Sequence, residues 1–401
     1  MWKKLFRLWN KLLKWKTIIK RICFLLLISS VVVLESQNFC KVCKAAKKYE
    51  NDKLRIACEI GSGEDIRFKV LKRNLKILEK LTGVEFVDMA DAEFGSSNEA
   101  SVYYVEYAIN EGGGDGILLS PSSDQILPTV CRLCQDAGVY WGIYFRSIED
   151  EEIREECESS PYYIGNICED EENMGYNITK EAADMGYQKL GIISTVQWDT
   201  TGQRREQGIQ KAMKEYPEIK ILAEVRDVFS TEDVYKNTKS LLTAYPEIDC
   251  IFLAASKSGE AQQSIAKAIR DLGKNGEVGM AAIDFMRGFS ELFDSECLES
   301  VIGLPQLTID PYYLAIKMIN TLKGYPIEEK CSTQTVPGIM VTSKKEARQL
   351  KKIVEDENLV FFSEEYIEKH LFKWNNPELD EQEFQKIINQ NQRLKYSKSG
   401  N

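Results

Sequence analysis

The feature that most constrains this chain is a regular alternation, from residue 54 to residue 341, of short apolar segments with amphipathic helical segments. The first pair is typical: residues 54–60 predict a strand, and residues 65–82 predict a helix that ends at Gly83. Strands that alternate with helices indicate βαβ units and a parallel sheet. The predicted fold class is therefore α/β, with doubly wound parallel sheets.

The alternation occurs as two similar series in tandem. The first ends with a predicted strand at residues 139–145, and the second begins near Tyr163. The acidic stretch between them, residues 149–158, predicts a solvated loop or a crossover between two lobes. Loops at the carboxyl ends of two facing parallel sheets line a cleft, so we expect a small molecule to be enclosed there.

Residues 1–40 predict a signal peptide or a membrane anchor. The first 21 residues contain eight Lys/Arg and no acid, and an uncharged apolar run follows at residues 22–34. That run suits a signal peptide better than the roughly 20 residues of a full span. We expect an extracytoplasmic protein whose N-terminus engages the membrane, although a basic amphipathic anchor is the alternative. No cleavage or lipidation signal follows, so release or tethering stays open.

Composition argues against catalysis and against nucleic acid as a partner. His370 is the one histidine and lies in the C-terminal tail, so no Ser-His or Cys-His pair is available to a cleft. The chain has a formal net charge of −10 despite its basic start, so its body repels nucleic acid. We expect no cofactor and no metal. A zinc site would have to join the distant pairs Cys40/Cys43 and Cys131/Cys134, whereas small buried thiols are the simpler interpretation.

Several ordered motifs carry a family resemblance. Residues 53–342 resemble the type I periplasmic solute-binding proteins of sugar ABC importers, in the ribose and galactose group. The matching segments are residues 115–121 (DGILLSP), 186–193 (GYQKLGII), 205–208 (REQG), 241–249 (LLTAYPEID) and 283–284 (ID). The resemblance implies a monomeric binding protein that captures a carbohydrate-like ligand for an ABC transporter permease. A membrane-tethered sensor for a histidine kinase or chemoreceptor is the alternative.

The resemblance also implies how the chain divides. Three hinge crossovers would join the lobes, so that neither lobe is continuous in sequence. The predicted N-terminal lobe is 53–150 plus 306–335, and the predicted C-terminal lobe is 160–305 plus 336–343. Residues 344–401 form a helical C-terminal extension that either docks on the lobes or recruits a partner.

Ligand-binding residues carry over in part. Arg146 and Arg205 match positions that donate to sugar oxygens, Asp284 matches one that accepts from hydroxyls, and Gln306 matches one at the third crossover. The chain departs from the family at other places of the predicted site: Phe145 replaces an acid, Ala255 replaces an amide, and a segment ending at Asp65 replaces a polar-aromatic motif. Trp198 and Phe68 are candidates for stacking on the ligand.

Each candidate also has a structural interpretation. The two arginines could pair with acids of the facing lobe, Asp284 could cap a turn, and the aromatic residues could simply pack. Losing an acid while keeping both arginines predicts a more positive pocket. On that basis we expect a ligand that carries a carboxylate or is otherwise less rich in hydroxyls.

Overall fold

The computed structural model describes residues 53–58, 66–89, 97–111, 114–121, 123–196, 199–228, 230–256, 259–306, 308–328 and 331–398, with side chains described up to residue 390. The predicted signal or anchor segment, residues 1–40, lies outside them. All elements named below lie in one compact unit that begins at Leu54. No helix among the described residues has both the length and the apolar character to cross a bilayer.

This unit alternates strands and helices as the sequence predicts. The strands are β1 (Arg55–Cys58), β2 (Glu85–Asp88), β3 (Gly116–Leu119), β4 (Tyr140–Phe145), β5 (Tyr163–Glu169), β6 (Lys189–Ile193), β7 (Lys220–Val225), β8 (Cys250–Leu253), β9 (Gly279–Ile283), β10 (Ser300–Gly303), β11 (Thr333–Val336) and β12 (Ile339–Val341). The helices are α1 (Ile66–Thr82), α2 (Asn98–Asn110), α3 (Leu127–Ala137), α4 (Glu151–Ser159), α5 (Glu171–Asp184), α6 (Thr200–Glu215), α7 (Thr231–Ala244), α8 (Ala261–Asp271), α9 (Phe289–Asp294), α10 (Ile309–Leu322), α11 (Lys344–Val354), α12 (Glu364–Tyr366, continued by a π-helical turn Ile367–Leu371) and α13 (Glu381–Lys398).

Two six-stranded sheets form the framework of the described residues. The sheet of the N-terminal lobe has the order β11-β5-β4-β3-β1-β2 and is parallel throughout. The sheet of the C-terminal lobe has the order β12-β10-β9-β8-β6-β7, and only the β10–β12 pair is antiparallel. Strands such as β5 and β9 are buried along their whole length, as expected when helices cover both faces of a sheet. The predicted α/β class with two doubly wound lobes is confirmed.

The chain passes between the two sheets three times. It leaves the N-terminal lobe between β5 and α5, returns between β10 and α10, and leaves again between β11 and β12. These three passages are the predicted hinge crossovers. They occur at residues 169–171, 303–309 and 336–339, next to the edge of each sheet that contains β11 or β12.

Two details of the predicted order are wrong. The acidic stretch contains α4, whose N-cap Asp150 accepts hydrogen bonds from the Glu152 and Ile153 amides. Carboxylates in the first turn and a capping acid favour a helix N-terminus, which offsets the repulsion among the acids. Because α4 returns the chain to the same sheet, β5 pairs with β4 and belongs to the N-terminal lobe. The boundary predicted at residue 160 therefore falls too early.

The C-terminal extension docks on its own lobes. On the C-terminal lobe, α11 buries Ala347 and Leu350 completely. On the N-terminal lobe, the Phe361 ring packs against Tyr312 with 5.0 Å between centroids. Further along, α13 lies beside β11, where the Gln385 side chain donates to the Thr335 carbonyl at 2.8 Å. One extension thus contacts both lobes.

Candidate functional site at the lobe crossovers

Three residues singled out in the sequence lie at the carboxyl ends of strands, and both sheets contribute. Arg146 directly follows β4, Asp284 directly follows β9, and Ala255 comes two residues after β8. The carboxyl edge of a parallel sheet is where open α/β folds place their ligand sites. The predicted location of the site is therefore consistent with the strand order.

Arg205, on α6, is 3% exposed and has a protein partner for every N–H of its guanidinium. Nε and Nη2 donate to Glu171 at 2.5 and 3.2 Å, and Nη1 and Nη2 donate to Asp284 at 2.9 and 3.1 Å. The remaining Nη1 donor binds the Ala254 carbonyl at 2.9 Å. Guanidinium has five N–H donors, so none is left for a ligand. In the described structure, Arg205 therefore has no N–H free for a sugar oxygen, and its predicted contact with a ligand would require it to release a present partner.

Asp284 is held rigidly, yet its side chain keeps a partly open surface. Its φ of 76° lies in the left-handed region that aspartate tolerates better than most residues. The backbone is fixed on both sides, since its amide donates to the Ile302 carbonyl and its own carbonyl accepts from Gln262. The side chain is 25% exposed. Asp284 does not cap the following helix, because Gly288 is the N-cap of α9.

The approach of α5 to α6 places Glu171 against Arg205. Gly175 on α5 lies directly beneath the Arg205 carbonyl oxygen, which a Cβ atom at Gly175 would overlap. Gly208 on α6 packs in the same way against the Glu172 carbonyl. Two helices can come this close only where the facing residue has no side chain. The glycines thus decide the geometry of the ion pair.

Buried carboxyl groups outnumber the cations around Arg205. Glu169, at the end of β5, lies 4.0 Å from Nη2 of Arg205, and burial raises the pKa of its carboxyl well above 4.5. Burial also raises the pKa of Glu171, to about 7, although Arg205 opposes the shift. Asp310 is fully buried, and neither of its carboxylate oxygens has a hydrogen-bond partner among the described residues. The expectation of a positive pocket is therefore wrong.

Arg146 makes a different kind of contact, because it reaches the facing lobe. Its Nη1 donates to Asp199 at 2.7 Å and to the Thr200 hydroxyl at 3.4 Å. Asp199 is also the N-cap of α6, the helix that carries Arg205. Beside this pair, Arg204 reaches Glu149 at 3.5 Å across the same gap. The alternative expectation, that Arg146 pairs with an acid of the facing lobe, is confirmed.

The other predicted residues lie near strand ends and crossovers or lie outside the described residues. Phe145 is half-buried with a φ of 66°, and Ala255 is buried. Phe68 is half-buried in the first turn of α1, where the adjacent Arg67 carbonyl accepts from Thr308. Gln306 is buried, and in chain order it lies at the second crossover rather than the third. Asp65 and Trp198 are outside the described residues.

The sequence analysis missed Glu169, Glu171, Asp310 and Asp199. The first three lie within two residues of a crossover, and Asp199 begins a helix at the carboxyl edge of its sheet. An acid directly beside a predicted crossover was the available signal. Among the described residues, no group of His, Cys, Asp and Glu has the arrangement of a metal site. Cys131 and Cys134 are buried on α3, and burial raises the pKa of both thiols, as for inert core residues.

Comparisons with known proteins agree with this fold. Residues 67–322 match the profile of a family described as "periplasmic binding protein domain". A solute-binding protein from Actinobacillus succinogenes with bound D-allose is 22% identical over 74% of this chain and 99% of its own, with a TM-score of 0.60. One from Bacillus halodurans with bound myo-inositol is 14% identical over 76% and 99%, with a TM-score of 0.63. No curated protein sequence matches the chain.

Proposed function

The chain belongs to the periplasmic binding protein domain family, and on that premise we propose that it captures one small, neutral, hydroxyl-rich ligand between its two lobes. The family consists of binding proteins, which agrees with the expectation that the chain is not an enzyme. The observation that carries the proposal is the Asp284 carboxylate, which Arg205 fixes at the carboxyl edge of the sheet while part of it stays open. A fixed carboxylate that can still accept hydrogen bonds is suited to ligand hydroxyls.

The charges around the crossovers argue for a neutral ligand rather than a sugar acid. Each arginine that lines this region already has a carboxylate partner: Asp199 for Arg146, and Glu171 with Asp284 for Arg205. At Arg205 a ligand carboxylate would have to displace Glu171 or Asp284, and at Arg146 it would have to share the cation with Asp199. Burying a further negative charge here is costly, because no unpaired cation in this cluster would compensate it.

The roles of the individual residues follow from their contacts. In this proposal Asp284 accepts ligand hydroxyls, Gln306 offers its buried amide, and Arg205 acts by positioning Asp284. Arg146 joins the lobes once they have closed, and it can contact the ligand from the N-terminal side. Hydrophobic contact with one face of the ligand would come from Phe68, which is half-buried.

The proposed setting is extracytoplasmic. The basic-apolar segment at residues 1–40 would direct export and engage the membrane, and the loaded monomer would deliver its ligand to an ABC transporter permease. The relatives from Actinobacillus succinogenes and Bacillus halodurans are named as ABC transporter solute-binding proteins, which supports this setting.

Calorimetric titration with neutral sugars and polyols, each beside its uronic acid where one exists, tests the proposal. D-allose and myo-inositol are the first probes, because relatives of the same fold hold them. We expect a neutral compound to bind and to raise the melting temperature, since a ligand at 100 times its Kd adds about 2.7 kcal/mol of stability. Tighter binding of the acid would contradict the proposed ligand class.

A pair of variants then locates the site. Asp284→Asn should weaken binding about tenfold or more, because a hydrogen bond to a charged group is worth about 1.5–3 kcal/mol. The matched control is Asp294→Asn in the same lobe. Asp294 lies on α9, is exposed and pairs with Arg348. Equal affinities for the two variants would show that the ligand does not contact Asp284.

A further inference from the structure

Two buried asparagines hold the backbone of the C-terminal extension against the N-terminal lobe. The side chain of Asn74, on α1, donates to the Leu359 carbonyl at 2.9 Å and accepts from the Phe361 amide at 2.8 Å. The side chain of Asn320, on α10, donates to the Leu371 carbonyl at 2.9 Å and accepts from the Lys373 amide at 2.7 Å. Both asparagines are fully buried. Each would leave several buried polar groups unpaired if the extension moved away, so detachment is costly.

The same extension is attached independently to the C-terminal lobe. Ala347 and Leu350 of α11 belong to the hydrophobic core of that lobe. Outside the core, Arg348 forms an ion pair with Asp294 of α9 at 2.8 Å, and Lys351 pairs with Glu291. Burial supplies most of this attachment, since exposed ion pairs contribute little.

Very little chain separates the two attachments. Val354 still packs against the core of the C-terminal lobe, while the Asn358 side chain already accepts a hydrogen bond from Arg73 of α1. Four residue steps of fully extended chain reach at most about 14 Å. In the structure the connection is folded, because the Leu359 amide donates to the Asp356 carbonyl in a turn. The connection therefore has only a small reserve of length.

We propose that residues 344–374, which we call the strap, are a fourth connection between the lobes and limit how far they open. The three crossovers lie at the sheet edges that contain β11 and β12. In the N-terminal lobe, α1 extends from the second crossover, where the Arg67 carbonyl accepts from Thr308, past α10 to β2 at the opposite edge of the sheet. Rotation about the crossovers moves the part of α1 beside β2 further than it moves the hinge strands. Opening therefore stretches the strap until residues 355–357 are extended.

A limited opening has a consequence for binding, which rests on the proposed function. Lobes that cannot open fully stay nearer to the arrangement that encloses a ligand. Less free energy is then needed for closure, and the apparent affinity is higher. The restraint itself does not depend on which ligand binds, or on whether one binds.

Lengthening the strap without removing its attachments tests the proposal in the full chain. Six Gly/Ser residues are inserted between Asp356 and Glu357, and the control carries the same insertion between Pro217 and Glu218, an exposed turn of the C-terminal lobe. Small-angle X-ray scattering without ligand gives the radius of gyration. We expect the strap insertion to exceed the control by about 5%, on roughly 20 Å for a compact chain of this size. Equal radii would overturn the proposal, whether or not either protein binds a sugar.

A second measurement checks that the asparagine contacts hold the strap in place. Asn74→Leu should accelerate hydrogen exchange of amides in residues 358–373 at least tenfold over wild type. The control is Asn110→Leu on α2, because Asn110 makes a comparable bond to its own helix and has an exposed side chain. Unchanged exchange in Asn74→Leu would show that the extension does not depend on this contact, and would likewise count against the strap.

Discussion

Arg205 lies in the C-terminal lobe and Arg146 in the N-terminal lobe, and these two predicted ligand-binding residues differ in their surroundings. Arg205 is buried and uses all five donors on atoms of Glu171, Asp284 and Ala254. The Arg146 side chain is 28% exposed and bonds to Asp199 of the facing lobe. The first arginine therefore organises the site around the first crossover, whether or not the lobes meet. The second forms its contact only when the lobes come together.

The largest expected effect comes from removing the positive charge of Arg205, which is buried between Glu171 and Asp284. Arg205→Met leaves Glu171 and Asp284 without their common partner, which should lower the free energy of unfolding by about 3–5 kcal/mol. Urea denaturation measures the loss. The control is Arg204→Met on the same helix, whose ion pairs are part-exposed and should matter by less than about 1 kcal/mol. Similar losses in both variants would remove the distinction between buried and part-exposed arginines.

The next prediction tests whether the close approach of α5 and α6 holds Glu171 beside Arg205. Gly208→Ala forces a Cβ atom into the Glu172 carbonyl, so α5 and α6 must separate. We expect about 2–3 kcal/mol of destabilisation, as for other overpacked sites. Gly259→Ala is the control, because a Cβ atom there meets nothing within 4 Å. If Gly208→Ala is as stable as the control, the close helix approach does not position Glu171.

The dependence of stability on pH should distinguish the two regions further. The pKa of Glu171 is raised from 4.5 to about 7 in the folded protein, chiefly by burial. The folded state therefore holds this proton more tightly than the unfolded state. Its contribution to stability is fully present below pH 4.5 and is lost as the pH rises through about 7. Denaturation at pH 5 and pH 7.5 should show a decrease of about 1–3 kcal/mol.

Two substitutions assign that pH dependence. A glutamine side chain cannot ionise, so Glu171→Gln should make the decrease between pH 5 and pH 7.5 smaller, leaving only what Glu169 and Asp310 contribute. Glu172→Gln, one residue along and less buried, should retain it. An unchanged profile in Glu171→Gln would mean that Glu169 or Asp310, whose carboxyl pKa values are also raised by burial, accounts for the dependence.

The smallest effect is expected at the contact between the lobes. A double-mutant cycle of Arg146→Ala and Asp199→Ala in the ligand-free protein should give a coupling of about 0.2–1 kcal/mol, because both groups are partly exposed. Thermal or urea denaturation of the four proteins measures it. A coupling as large as the loss in Arg205→Met would mean that the lobes stay closed without ligand.

Much of the fold was predictable from local patterns. The alternation of segments indicated the α/β class and most strands, because period and capping residues act over a few positions. The start of the C-terminal lobe predicted at residue 160 was too early, because the acidic stretch before it was interpreted as a loop. Charge density suggested a loop, whereas Asp150 and the acids after it stabilise the start of α4. The helix then returned β5 to the first sheet.

The site was predictable in place but not in chemistry. The family resemblance singled out Arg146, Arg205 and Asp284. The structure places Arg146 and Asp284 at carboxyl ends of strands in the two sheets, with Arg205 bonded to Asp284. Which acid each arginine binds depends on side chains that are far apart in sequence, and a single sequence carries no measure of those distances. Counting arginines therefore suggested a positive pocket, whereas the structure pairs each of them with a carboxylate.

By itself, then, the sequence determined the order of strands and helices, the doubling of the α/β unit and the position of the ligand edge. Only the tertiary structure decided that Arg205 is saturated, that Glu171 is buried beside it, and that the C-terminal extension crosses from one lobe to the other. The physical reason is range: secondary structure follows from neighbours along the chain, whereas burial, ion pairing and hinge restraint follow from neighbours in space.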